Sequence, residues 1–270
     1  MTGCAVASAQ PAGTEITIPA TIDGKTVSMF ATLYKPEGSG PFPAIVISHG
    51  SPPTPTDRPR TTAKFAAASA VFVKLGFMVL NPVRRGYGPT GGNWEEGYGR
   101  CDLPFYAEAG LESAKDIVAA TEYVRTLADV DRERVVLVGV SAGGWGSLAA
   151  ADRSDLVRGV VNFAGGRGGY AQNRPNNNCT PDRLVSASGT LGKAAKVPTL
   201  WVYAENDLFF APELSRRMHA AWTAAGGNAT FHMFPAFGRD GHGLFGATAG
   251  PAIWREKVEA FLREIGALQR

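Results

Sequence analysis

Val135-Val136-Leu137-Val138-Gly139-Val140-Ser141-Ala142-Gly143-Gly144-Trp145 decides how this chain is read. Its unbroken aliphatic start, rich in valine, fits a strand buried on both faces. A helix is expected directly afterwards, over residues 143–151. Between the two stands Gly-x-Ser-x-Gly, and a serine on such a sharp turn needs neighbours without side chains, so that strand and helix can approach. The turn lifts a hydroxyl off the C-terminal edge of a sheet. It also sets the backbone N–H of Ala142 at a helix N-terminus, where a developing oxyanion is stabilised. Ser141 is the candidate nucleophile.

The flanking segments supply a sheet for this turn to sit on. Residues 15–19 and 27–34 are β-rich and separated by the turn chemistry of Ile22-Asp23-Gly24-Lys25, an antiparallel hairpin pattern. Residues 44–48, 77–80, 157–163, 197–203 and 230–234 read as further strands. Helices are expected over about 62–75, 111–127, 212–225 and 252–265, with Ile117, Ala120, Val124 and Leu127 marking one apolar face of the second. Strands alternating with helices require an α/β architecture with a mostly parallel sheet covered on both faces. Residues 86–99 form a long Gly-rich loop, and residues 165–196, the widest interruption, are expected to make at most a small cap. With no repeat or linker, residues 15–270 read as a single domain.

Composition narrows the function classes. The chain has 270 residues, 44% hydrophobic and 19% charged, enough for a large core. A net charge of +3 without a basic run argues against nucleic acid. No stretch reaches the ~18–20 apolar residues of a membrane-spanning helix. Residues 1–14 read as a disordered tail or a signal-peptide remnant, with small residues at alternate positions near a cleavage site. Cys4, in Thr-Gly-Cys, fits the lipid-modified residue of a lipoprotein signal. Cys101 and Cys179 both lie in loop-like surroundings and are expected to pair in an oxidising compartment, worth roughly 4 kcal/mol for so long a loop. Periplasmic or secreted placement follows from that reading; two reduced thiols in a cytoplasmic protein is the alternative.

A serine hydroxyl needs a base. Of the four histidines, His219 falls mid-helix, His232 in a strand, and His49 at the end of the first buried strand. His242, in Asp240-Gly241-His242-Gly243, follows the last strand in a Gly-flanked loop and is the candidate base. Asp207, beyond residues 197–203, is the candidate acid that orients it, with Glu205 as runner-up. Ser51 is the second backbone oxyanion donor, because Pro52 and Pro53 have no N–H. Tyr87 is a further candidate donor from its hydroxyl. Trp145, Tyr87, Trp94 and Tyr98 are placed near the pocket mouth, and Arg167 is a candidate partner for a substrate carboxylate.

His49-Gly50, Arg85-Gly86-Tyr87-Gly88, the Gly139–Gly144 run, Glu205-Asn206-Asp207 and Asp240-Gly241-His242 together resemble the dienelactone hydrolase-like branch of the α/β-hydrolases. The resemblance implies about eight strands, a Ser/Asp/His triad, no metal and no organic cofactor. Founding members of that branch use cysteine as nucleophile. Serine here turns the expectation from dienelactones towards a general small or aromatic carboxylic ester, cleaved through an acyl-enzyme. An exported peptidase or amidase of the same fold and a non-catalytic binding protein are the alternatives.

Overall fold

The computed structural model describes residues 12–269; the signal-like residues 1–10, with Cys4, lie outside them. The chain opens on a hairpin of β1 (Thr14–Ile22) and β2 (Lys25–Tyr34). Asp23 and Gly24 between them both have positive φ, 50° and 73°, the backbone a tight two-residue hairpin turn demands. Next come β3 (Phe42–Ser48), α1 (Ala66–Lys74), β4 (Met78–Pro82) and the short pair β5 (Gly99–Arg100) and β6 (Leu103–Pro104). Then follow α2 (Tyr106–Thr126), β7 (Val130–Val140), α3 (Ala142–Ala149), β8 (Gly159–Phe163) and α4 (Pro181–Ala194). The chain ends with β9 (Thr199–Ala204), α5 (Pro212–Ala224), β10 (Ala229–Phe234) and α6 (Pro251–Glu264).

Eight strands form one sheet in the order β1-β2-β4-β3-β7-β8-β9-β10. The β1–β2 and β2–β4 pairs are antiparallel, and every other neighbouring pair is parallel. Alternate residues of the central strands serve opposite cores, as the period of a strand dictates. Ala44, Val46, Val135 and Leu137 face the core built by α2, α3, α4 and α5, whereas Ile45, Ile47, Val136 and Val138 face the one built by α1 and α6. The two helical layers explain why these strands carry no polar face. No helix among the described residues is long and apolar enough to cross a membrane.

Three differences from the sequence expectations have physical causes. β7 begins at Val130, because Phe42 pairs with Val130 and draws the polar Asp131–Arg134 stretch into the strand. α2 begins at Tyr106, five residues before the apolar period shows, since Tyr106 and Ala109 turn inward against the core. Residues 165–196 are not simply a cap. Their second half is α4, whose Leu184, Ala187 and Leu191 are buried in the same core as Met218 and Trp222 of α5. Pro at its first turn and that three-to-four spacing were the signals for a covering helix.

Candidate active site

Ser141 stands at the exit of β7 with φ 55° and ψ −122°, a backbone that side chains rarely adopt. Its N–H donates to Phe163 O (2.9 Å), and its carbonyl accepts from Trp145 N–H (2.9 Å), so strand and helix hold the turn from both sides. The glycines are required by contact. A Cβ on Gly139 would lie 2.3 Å from the Gly143 carbonyl oxygen, and one on Gly143 would lie 2.2 Å from that of Ser48. Both obstacles are backbone and have nowhere to go. Ala142 is the first residue of α3, so its N–H has no carbonyl one helical turn back to bind.

Ser141 opens onto a cavity of about 510 Å³. Ser51 and Pro52, Trp94 and Tyr98, Arg167, and Phe209 and Phe210 line it from four separate loops, together with Ala142 and Arg58. Two arginines and no acidic residue face this space. Arg58, which sequence reasoning did not single out from the Pro-rich loop, lays its guanidinium 3.4 Å from the Trp94 ring centroid, a cation–π stack.

Asp207 and His242 meet behind one wall of that cavity. His242 Nδ1 lies 3.1 Å from each carboxylate oxygen of Asp207, which is buried. Asp207 Oδ1 also accepts the N–H groups of Phe209 (2.7 Å) and Phe210 (2.9 Å), fixing the carboxylate before the histidine arrives. Their two loops are stitched together. Asp240 Oδ1 accepts from both Leu208 N–H (3.0 Å) and His242 N–H (2.9 Å), and Asn206 Oδ1 accepts from Phe237 N–H (2.8 Å). Phe209 stacks on the imidazole with ring centroids 4.0 Å apart. Among the described residues no hydrogen bond joins Ser141 Oγ to His242, a contact that in unliganded sites often tightens only around substrate. The side chain of Glu205 is exposed and makes no bond to His242.

The remaining sequence candidates divide between the cavity and the core. Trp145 is not at the mouth: it is fully buried, packed beside Gly110 of α2, and its indole N–H donates to Tyr106 O (2.7 Å). The alternation of small residues in α3 let that helix press so close to α2 that its one large side chain became core. Trp94 and Tyr98 do line the cavity. Arg167 lines it too, but as a buried residue 3.0 Å from Glu96 rather than as a solvated loop arginine. Tyr87 is fully buried, and its hydroxyl bonds to Glu96. A phenol carries one proton and a carboxylate only accepts, so that proton is committed and Tyr87 is no oxyanion donor. Burial, and then the charge of Glu96, raise its pKa and keep that proton in place.

Cys101 and Cys179 are bridged, with Cα atoms 4.7 Å apart across a sequence separation of 78. Cys179 is buried rather than exposed. The bridge ties the β5–β6 hairpin to the loop before α4, next to Gly99 and Gly168 of the cavity wall.

A doubly covered, mostly parallel sheet with a strained serine turn at its C-terminal edge defines an α/β-hydrolase. Residues 29–265 match the pattern of the Dienelactone hydrolase family, and the chain belongs to that family. A 4-O-methyl-glucuronoyl methylesterase of Thermothelomyces thermophilus is 26% identical over 190 residues, covering 69% of this chain and 43% of that protein. The chain thus spans less than half the length of that relative. Among solved structures, the Pyrococcus furiosus esterase Pf2001 superposes with a TM-score of 0.64 at 14% identity, covering 93% of each chain. The Pyrococcus horikoshii acylaminoacyl peptidase superposes with a TM-score of 0.61 at 19% identity, covering 93% of this chain and 41% of that one. At such identities the likeness is one of fold.

Proposed function

We propose that the protein is a serine carboxylic-ester hydrolase acting on small esters with an apolar or aromatic portion. The observation that carries this reading is Ser141 on its strained turn, opening onto a cavity beside a buried Asp207–His242 pair. Ser141 Oγ attacks the ester carbonyl while His242 Nε2 takes its proton, and Asp207 stabilises the imidazolium. The N–H groups of Ala142 and Ser51 receive the oxyanion. Collapse breaks the bond to the alcohol, which leaves with the proton from His242; water then releases the acid by the reverse sequence. Trp94, Tyr98 and Phe209 supply flat apolar walls for the substrate, and Arg58 and Arg167 favour neutral or anionic esters over cationic ones. The Cys101–Cys179 bridge supports work in an oxidising compartment.

The test is a panel of p-nitrophenyl esters of graded acyl length and aromatic esters, with a 4-O-methyl-glucuronoyl methyl ester added because of the relative above. Matched anilides separate esterase from amidase. Turnover of esters by wild type and its loss in Ser141→Ala is the expected result. Anilides cleaved faster than their matched esters would move the reading to an amidase, and absent fluorophosphonate labelling of Ser141 would remove the nucleophile altogether.

A further inference from the structure

Glu96 lies in the irregular stretch between β4 and β5, and no part of the proposed chemistry uses it. Its carboxylate is buried, yet four side chains from three segments of the chain converge on it. Arg84 donates through Nε (2.8 Å) and Nη2 (3.0 Å), Ser113 through Oγ (2.6 Å), and Tyr87 through its hydroxyl, while Arg167 Nη2 pairs with it at 3.0 Å. Burial opposes its charge, but Arg167 and Arg84 outweigh burial and hold its pKa well below the ordinary carboxylate range. A charge so deeply placed is a poor device for stability alone, since well-packed apolar side chains commonly do as well.

Where its donors lead is more telling. Tyr87, with its O–H directed to Glu96, has only lone pairs left for Ser51 Oγ, 2.8 Å away, and for the Trp94 indole N–H at 2.8 Å. Arg84 Nη1 donates to Ser48 Oγ (2.8 Å) and His49 O (2.6 Å), and the Arg84 N–H donates to His49 Nε2 (3.1 Å). These bonds fix both ends of the segment Ser48-His49-Gly50-Ser51. That segment lies against the nucleophile: a Cβ on Gly50 would be 3.1 Å from Ser141 Cβ. Arg167, the remaining charged branch, is part of the cavity wall.

We propose that Glu96 is the positioning residue of the oxyanion loop, holding the Ser51 N–H where the tetrahedral oxygen forms by way of Tyr87 and Arg84. The inference rests on the ester-hydrolase reading above. Glu96 touches no substrate atom. Its effect falls on the transition state, because a donor displaced by a fraction of an ångström still allows substrate to enter but no longer meets the oxyanion.

The experiment compares the full chain with Glu96→Gln and Tyr87→Phe on p-nitrophenyl acetate, with phenylboronic acid as the tetrahedral mimic. Glu96→Gln is expected to lower kcat about 10- to 100-fold while KM moves less than about threefold. Boronate affinity should fall by the same factor as kcat/KM. Tyr87→Phe keeps both arginine pairs and cuts the branch to Ser51 along with the bond to the Trp94 indole, so it carries the test even where loss of the charge unfolds the chain; about 3- to 10-fold lower kcat is expected, with any effect through the Trp94 wall read in KM. A lowered melting temperature with wild-type kcat and boronate affinity in Glu96→Gln, or wild-type kcat in Tyr87→Phe, would overturn the proposal. Failure of the underlying reading looks different, because wild type itself would then leave the ester intact.

Discussion

The cavity has two halves that are built by different physics. On one side, Ser141 and Ala142 are placed by backbone alone: a strand, a helix and glycines whose Cβ positions are occupied by neighbouring carbonyls. On the other, residues 84–104 and 165–180 have little regular structure and are held by side chains, through Glu96 with its two arginines and through the Cys101–Cys179 bridge. The first half tolerates almost no change in the residues themselves but needs no side-chain partner, only the backbone of neighbouring strands. The second depends on pairs 12 to 78 residues apart. A rigid serine turn facing a separately fastened wall is an arrangement in which the chemistry proposed for the serine and the range of substrates can vary independently.

The largest effects should come from the backbone-built half. Ser141→Ala is expected to lower kcat by at least about 10⁴-fold with little change in unfolding free energy, measured on any ester the wild type accepts. Asp207→Asn should follow at about 10³- to 10⁴-fold, because the amide no longer selects the tautomer and charge that His242 needs. Glu205→Gln, on an exposed side chain one turn away, should leave kcat within about twofold. Equal losses in the Asp207 and Glu205 variants would show that the acid is shared or wrongly assigned.

The side-chain half answers to reductant. Opening the Cys101–Cys179 bridge is expected to lower unfolding free energy by roughly 4 kcal/mol in the chain-entropy picture, read from urea unfolding with and without dithiothreitol. Substrate KM should rise more than kcat falls, since the bridge adjoins Gly99 and Gly168 of the cavity wall. If reduction instead removed kcat at constant KM, the two halves would not be independent and the comparison would fail.

That division also governs how much was legible in the sequence. Residues 44–47, 78–80 and 135–138 announce their strands because burial on both faces favours unbroken apolar runs, and Gly139 and Gly143 stand out because no other residue fits. The order of Ser141, Asp207 and His242 follows from the order of strands. Glu96, Arg84 and Arg58 carry no such mark. A glutamate in a Gly-rich loop has the same local pattern whether it is solvated or ringed by four donors, and only the fold brings Arg167 to it. Trp145 misled for the related reason that its neighbours along the chain say nothing of α2 lying across it. Residues placed by local sterics can be read one window at a time, and residues placed by long-range pairing cannot.

His49 sits on the seam between the halves and gives the smallest but most specific test. It follows the last residue of β3, donates from Nδ1 to Gly50 O (2.7 Å), and accepts the Arg84 N–H at Nε2. Burial, reinforced by the positive charge of Arg84, lowers its pKa to about 3. An unfolded chain therefore takes up a proton at this histidine below the ordinary value of about 6.5, whereas the folded chain stays neutral there. Stability from this group is complete above that value and is lost as pH falls towards 3, at up to about 1.4 kcal/mol per pH unit. Denaturant unfolding of wild type and His49→Gln between pH 7 and pH 4 isolates it, since the carboxylates common to both chains cancel in the difference. The wild-type curve should be steeper by about that amount over the acidic part of the range. Parallel curves would mean that native His49 takes up the proton after all. Burial and the positive charge of Arg84 would then weigh less on His49 than its place in the fold implies.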